Sequence, residues 1–272
     1  MTINSYLTSI ANQAIVRDEE KQNIKRSIST LSDRLNQYFG SDLTDHFQFG
    51  SSNRDTMMPR KMDSNSDVDY MIVFKDDNYK PQTYLDRLRR FSDMKYSRSE
   101  IKQSHPTIIL SLSHIHFELV PALSSFWRAA EYRIPDKASS YDDWVRTSPL
   151  ELETDLVISN KENNSLIKPL IRVIKYWNAV NKYPFRSFDL EEKILKAFYV
   201  NPFMYQYFSN EKLEDYFYEF VNGITNSWND PDWKREKIGR LKDRVDVIKR
   251  FKKKGHESDA VDILKKIFPP LN

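Results

Sequence analysis

Apolar positions recur along this chain with two different periods, and the change of period divides it. Between residues 5 and 38 there is neither Gly nor Pro, and Ile24, Ile28, Leu31 and Leu35 recur at spacings of four, three and four. Such a stripe predicts one long helix, with Gly40 closing it just past its end. Tyr70 to Phe74, YMIVF, is a short β-rich run that predicts a buried strand. Over residues 83–95, Tyr84, Leu85, Leu88 and Phe91 share one side of an amphipathic helix. Residues 107–120, TIILSLSHIHFELV, predict a strand pair or one long strand. Pro121 is expected to end it, since proline offers no N–H to a sheet ladder. The order helix, strand, helix, strands describes an α/β or α+β unit, of which α+β is the fold class expected.

From about Tyr141 the helical period alone remains. In residues 165–180, SLIKPLIRVIKYWNAV, the positions Ile167, Leu170, Ile171, Ile174 and Trp177 turn inward. Further helices are predicted over 189–200, 211–222, 233–252 and 258–268, and no strand. The expected division is therefore a sheet-bearing lobe over residues 1–140, with a long N-terminal helix, and an all-helical lobe over 141–272.

Composition narrows the class. Apolar residues make up 39% and charged residues 30% of 272, as in a folded, water-soluble protein. No apolar run approaches the length that spans a bilayer. The first residues, MTINSYLTSIANQAIVRDEEK, lack the basic start and apolar core of a secretory signal. There is no cysteine, which removes disulfides and thiolate metal sites, and a cytoplasmic location is expected. The net charge of +3 and pI near 8.7 suit a protein that handles phosphates. They fall short of a dedicated nucleic-acid binder, so no long nucleic acid and no membrane is expected as a stable partner. KRFKKKG, residues 249–255, reads as the solvated last turn of a helix or as a phosphate contact.

The chemistry gathers in Phe49 to Phe74, FGSSNRDTMMPRKMDSNSDVDYMIVF. Asp67 and Asp69 are one residue apart at the mouth of the apolar run, so on a strand both carboxylates share a face. Left bare they repel, and one takes up a proton; a divalent cation relieves this, and hard oxygen ligands with room for phosphate describe Mg²⁺. The same pair in isolation also reads as turn-capping acids. Gly50-Ser51 stands ahead of them, and a Gly-Ser turn offers backbone N–H groups and a hydroxyl to phosphate. The Walker pattern ending in Gly-Lys-Ser or Gly-Lys-Thr is absent. Glu118 lies within an apolar strand, where an acid is costly unless paired or metal-bound. His116, two residues earlier on the same face, reads as an ordinary half-exposed strand histidine.

These residues resemble the DNA polymerase β nucleotidyltransferase superfamily, whose pattern is a Gly-Ser or Gly-Gly turn, a paired acid and a later strand acid. Here that is Phe49-Gly50-Ser51, Asp67-Val68-Asp69 and Glu118. More narrowly, GSSNRDT, SDVDYMIVF, ELVPA, YRIPDKASSYDDWVRTSP and LIRVIKYWN followed by RSFDLE resemble the bacterial CD-NTases, relatives of cGAS and DncV. Those enzymes make cyclic oligonucleotide signals in the anti-phage systems called CBASS. The resemblance covers about residues 45–195. One departure is Glu118, where many members carry Asp; the longer arm still reaches a metal.

The resemblance implies a polymerase-β-like lobe, a mixed sheet flanked by helices, with the active site in a cleft against the helical lobe. It implies two Mg²⁺ ions on Asp67, Asp69 and Glu118, with Mn²⁺ as a substitute, and NTP phosphates on Gly50, Ser51, Lys175 and Ser187. It further implies a cyclic product, a cyclic dinucleotide in the first instance, sensed by a separate effector protein. Arg172 and Lys175 are three apart on one helix face, which reads as phosphate-binding or as solvated. Asn163 and Asn164 read as base contacts or as cap and turn residues. Tyr141, Trp144 and Phe185 read as base-stacking or as core. Two other functions fit the same residues: a linear oligonucleotide, RNA, protein or small-molecule nucleotidyltransferase, and a non-catalytic nucleotide or RNA sensor.

Overall fold

The computed structural model describes residues 1–104, 106–125, 130–136, 138, 142–198 and 211–270. In chain order the elements are α1 (Ile3–Gln13), α2 (Asp18–Phe39), β1 (Leu43–Phe49), α3 (Gly50–Asn53), β2 (Asp67–Phe74), α4 (Pro81–Lys95), β3 (Glu100–Ser104), β4 (Thr107–Ser111), β5 (His116–Ser124), β6 (Tyr132–Pro135) and β7 (Trp144–Thr147). Helices then follow: α5 (Pro149–Glu162), α6 (Ile167–Val180), α7 (Ser187–Ala197), α8 (Leu213–Gly223), α9 (Asp232–Lys253) and α10 (Glu257–Ile267). Contacts group the chain into two compact units. The sheet unit holds Val16–Arg60 and Ser64–Glu153; the helical unit holds Met1–Ile15, Lys61–Asp63 and Thr154–Asn272.

Among the described residues the sheet has seven strands in the order β1-β2-β5-β4-β3, with β6 on β5 and β7 on β6. It is mixed: β2 and β5 are parallel, and the other pairs are antiparallel. Strand periodicity sorts β2 between its two faces. Val68, Tyr70, Ile72 and Phe74 join a core with Leu31, Leu35 and Phe39 of α2 and Tyr84, Leu85, Leu88 and Phe91 of α4. Each such large side chain, fully buried, contributes roughly 1.5–3 kcal/mol. Trp144, expected on a base or in the core, packs edge-on against Tyr84 with the ring centres 5.5 Å apart.

The single helix expected over residues 5–38 is two helices, with Ala14 to Arg17 between them. Asp18, Glu19 and Glu20 form the first turn of α2, where the helix dipole favours acids. Thr2 caps α1 by accepting the Ser5 N–H at 3.1 Å. The stripe Ile24, Leu31, Leu35 is buried as predicted, and Gly40 caps α2 with φ of 51°. Pro121 does not end its strand, which runs on to Ser124. On the edge away from β2, β4 pairs only as far as Leu119 and β6 begins at Leu123, so Pro121 falls where that edge has no ladder. Nor is the chain after Tyr141 free of strand: Trp144–Thr147 pairs with Tyr132–Pro135.

In the helical unit α6 is buried over nearly its whole girth, from Leu170 through Asn178, and packs against α1, α7 and α8. Its Arg172 donates from Nε to the Ala11 carbonyl at 3.1 Å. The charged face expected on α6 is therefore enclosed: Arg172 and Lys175 are 8% and 4% exposed. Among the described residues, no helix is long and apolar enough to cross a membrane.

Candidate active site

The parallel register of β2 and β5 sets Asp67 opposite His116 and Asp69 opposite Glu118. Because Val68 and Tyr70 take the core face, Asp67 and Asp69 take the other, as do His116 and Glu118, which alternate with the buried Phe117 and Leu119. Farther along that same face, Met71, Val73 and Ala122 form a small apolar cluster. The acids are thus gathered at the amino ends of two adjacent strands, ahead of an apolar floor.

The Gly-Ser turn is delivered by β1. Phe49 is the antiparallel partner of Asp69, so the next residue passes directly over the Asp69 side chain. Gly50 has φ of +73°, and a β-carbon there would fall 1.8 Å from Asp69 Oδ2. Both the backbone conformation and the space require glycine. The Ser51 carbonyl accepts the N–H groups of Thr56 and Met57, each at 3.0 Å, which pins the turn. Ser52 Oγ is engaged, donating to the Phe49 carbonyl and accepting from Gln48 Nε2. Ser51 Oγ makes no hydrogen bond among the described residues.

Crowding marks the electrostatics. The Glu118 carboxyl is pushed up to about 7, by burial first and by the Asp69 charge second, while a hydrogen bond with Asp67 pulls it partly back. His116 is pushed below its ordinary value by burial and by the Arg60 guanidinium. Its Nε2 stands 2.9 Å from Arg60 Nη2, which also donates to the Ser64 carbonyl at 3.2 Å. Since a guanidinium only donates, that imidazole nitrogen accepts, and the proton is on Nδ1. Sequence reasoning missed Arg60. Its signal was a lone Arg-Lys pair in the loop between the Gly-Ser turn and the acids.

Asp67, Asp69 and Glu118 are hard oxygen donors on one face of adjacent strands, with burial and repulsion that a divalent cation would relieve. In donor chemistry they fit Mg²⁺ or Mn²⁺. Among the described residues, no three His, Asp or Glu side chains already converge as a finished metal site. An ion's charge is the term that would draw all three together.

The helical unit holds the other predicted residues. Lys175 Nζ lies 3.2 Å from Glu191 Oε1, and both side chains are buried. Ser187 opens α7 with a half-exposed side chain. Asn163 is buried; its Nδ2 donates to the Ser159 and Phe198 carbonyls at 2.8 and 3.3 Å, and its Oδ1 accepts from Tyr216. Asn164 is exposed with φ of 54°, a turn residue after α5. Phe185 is core, with its ring 6.4 Å from that of Trp177 and Lys234 Nζ 4.6 Å above it. Tyr141 lies outside the described residues.

Known proteins share both sequence and fold with this chain. Residues 1–160 match the Second Messenger Oligonucleotide or Dinucleotide Synthetase domain. A "Probable cyclic nucleotide synthase" of Bacillus cereus (strain VD146) is 26% identical over 194 residues, which cover 64% of this chain and 57% of that relative. Among solved structures, CdnC of E. coli MS115-1 with ATP superposes with a TM-score of 0.72 at 13% identity, covering 98% of each chain. The Vibrio cholerae cyclic AMP-GMP synthase DncV, with a linear intermediate, gives 0.73 at 10% identity, covering 96% of this chain and 93% of that one. The fold is that of these CD-NTases, a mixed sheet with helices and a helical C-terminal part. With more than half of its length matching that one domain, the chain belongs to the Second Messenger Oligonucleotide or Dinucleotide Synthetase family.

Proposed function

We propose that this chain is a nucleotidyltransferase that joins two or more NTPs into a cyclic oligonucleotide, a cyclic dinucleotide in the first instance, with release of pyrophosphate. The observation that carries the reading is the set Asp67, Asp69 and Glu118 on one sheet face, with Gly50 laid against Asp69. Family membership and the nucleotide-bound neighbours support it.

Asp67, Asp69 and Glu118 would hold two divalent ions. When bound, such ions lower the pKa of an acceptor ribose hydroxyl and neutralise charge on the triphosphate. The chain's own part is placement. The unengaged Ser51 hydroxyl and the N–H groups of the turn after Gly50 orient phosphate oxygens. The Gly50 backbone, lying on Asp69, fixes how near the phosphate comes to the carboxylates. Arg60 and His116 brace the rim beside Asp67. In the helical unit Ser187 is offered for phosphate at the first turn of α7, and Lys175 would exchange Glu191 for a phosphate oxygen. The product would act on a separate effector in anti-phage defence, within the cytoplasm where NTPs are made.

The test supplies all four NTPs, each α-³²P-labelled in turn, with Mg²⁺ or Mn²⁺, to wild type and to Asp67→Ala/Asp69→Ala. Phosphatase-resistant product from wild type alone is expected. Phosphatase-sensitive chains would replace the cyclase reading with a linear polymerase. Nucleotide binding without product under either metal would favour a sensor.

A further inference from the structure

The sheet unit contains a concave site at the opposite end of β2 from the acids. β2 begins with Asp67 and ends at Phe74; eight residues of strand span about 25 Å. Just beyond Phe74, a cavity of about 760 Å³ is lined by residues of three segments. Ser41 and Asp42 come from the turn after α2, Lys75, Asp76 and Tyr79 from the β2–α4 loop, and Thr83, Arg87 and Arg90 from α4. The volume lies within the range of small-molecule sites.

Helical spacing explains the α4 wall. Thr83, Arg87 and Arg90 are at i, i+4 and i+7, a single stripe that flanks the buried Tyr84, Leu88 and Phe91. This motif took no part in the reading of function above. The Lys75 N–H donates to the Asp42 carbonyl at 2.9 Å, so the two rims of the cavity are tied together.

The charges of the lining are not equally engaged. Asp42 is paired with Arg87, whose guanidinium also lies over the rings of Phe39 and Phe74 at 5.5 and 4.8 Å. Asp76 Oδ1 accepts from the Asn78 backbone N–H at 3.0 Å and from its side chain. Both acids of the lining are therefore occupied. Lys75 and Arg90 are exposed, and their side chains have no ion-pair or hydrogen-bond partner among the described residues. Tyr79 is 49% exposed, with its ring held edge-on at 6.0 Å from that of Tyr84. The cavity thus presents two unspoken-for cations, a threonine hydroxyl and a half-bare aromatic face. Phosphate suits the first three, with arginine as its bidentate partner, and a flat ring suits the last.

We propose that this cavity is a second ligand site, distinct from the acid cluster, for a nucleotide-type ligand: phosphate held by Lys75 and Arg90 beside Thr83, and the ring stacked on Tyr79. The inference does not depend on the catalytic reading, because no residue of that cluster takes part.

Binding of two probes to the full chain in EDTA tests it. Inorganic pyrophosphate carries the charge alone, and ADP carries charge and ring. Both are titrated by calorimetry into wild type, Lys75→Ala/Arg90→Ala and Tyr79→Ala. Saturable binding of both is expected, with a loss of about tenfold or more, some 1.4 kcal/mol, in the double variant. Tyr79→Ala is expected to weaken ADP by several-fold and leave pyrophosphate unchanged. Thermal melts of all three should coincide, because the altered side chains are exposed and Arg87, which packs on the core, is left in place. The site is overturned if neither probe binds, or if the double variant binds both as wild type does. The nucleotide class is overturned if Tyr79→Ala changes neither probe, or if ADP gains nothing over pyrophosphate. Restoring Mg²⁺ and measuring product separates this outcome from that of the catalytic reading, since Lys75→Ala/Arg90→Ala should keep the basal rate.

Discussion

Each unit of the molecule encloses charge, and the two do so in opposite ways. In the helical unit Lys175 and Glu191 face each other at 3.2 Å, a cation against an anion. In the sheet unit Glu118 stands beside Asp69 and Asp67, and its carboxyl rises to about 7, through burial first and the Asp69 charge second, with the Asp67 hydrogen bond pulling the other way. The first arrangement is satisfied by its own partners. The second sets like charges together, which a proton or a cation relieves. Buried charge as such therefore does not mark a site; buried charge of one sign does.

Removing the acids should give the largest effect. Asp67→Ala/Asp69→Ala is expected to lower turnover by on the order of a thousandfold or more, the scale of losing preorganised electrostatics at a reacting centre. Its thermal midpoint should hold or rise, because the like charges beside Glu118 are gone. A turnover assay beside a melting curve checks both. Retained turnover, or a collapse in stability, would erase the contrast with the helical pair.

The pair itself should behave in reverse. Lys175→Met alone strands Glu191 in the interior and is expected to cost roughly 3–5 kcal/mol by chemical denaturation. Lys175→Met/Glu191→Leu should regain most of that loss, since a well-packed apolar pair can replace a buried ion pair. The double variant also addresses the phosphate role. Unchanged KM for NTP would make Lys175 a purely structural partner of Glu191. A raised KM in a protein of restored stability would assign its ammonium to phosphate.

Gly50 joins the two kinds of effect in one residue. With φ of +73° and Asp69 Oδ2 1.8 Å from where a β-carbon would sit, Gly50→Ala must move either the turn or the carboxylate. A loss in turnover of about a hundredfold is expected, the scale of a 1 Å misplacement. The backbone strain adds roughly 1–2 kcal/mol of destabilisation. Turnover close to wild type would show that the turn does not set the position of Asp69.

How legible these features were depended on the range of the interactions involved. The paired acids and the Gly-Ser turn were readable because strand alternation is local, and β2 obeys it from Asp67 to Phe74. The apolar side of α4, Tyr84, Leu85, Leu88 and Phe91, was readable because the helical period is local as well. Local pattern does not join Glu118 to the paired acids: the family resemblance groups the three acids, and the β2–β5 register sets Glu118 opposite Asp69. The break between α1 and α2 was written in the acids at 18–20, but the absence of Gly and Pro outweighed that signal. The Lys175 and Asn163 environments depend on α7 and α8, which arrive late in the chain, so a charged or amide residue on a helix face looked free when it was enclosed. Strand β7 is four residues long and exists because β6 pairs with it, which no local pattern records.

The smallest expected effect is a pH dependence that only the acid cluster should show. In EDTA, Glu118 in the folded chain keeps its proton up to about 7, against 4.5 ordinarily. Between those values the folded state binds a proton that the unfolded state has lost, so stability falls as pH rises through the window. The contribution is fully present below the unfolded value and gone above about 7. At about 1.4 kcal/mol per pKa unit its ceiling is roughly 3–4 kcal/mol, and sharing of the proton with Asp67 and Asp69 brings it lower. Denaturation of wild type and Glu118→Gln at several pH values should show the slope in the first and its loss in the second. Adding Mg²⁺ should invert the trend, because a cation competes with the proton for the same oxygens and stabilises more strongly at pH 8 than at pH 5. Equal slopes in the two proteins would mean that Glu118 is not held against like charge, and the contrast between the two enclosed charge groups would lose its basis.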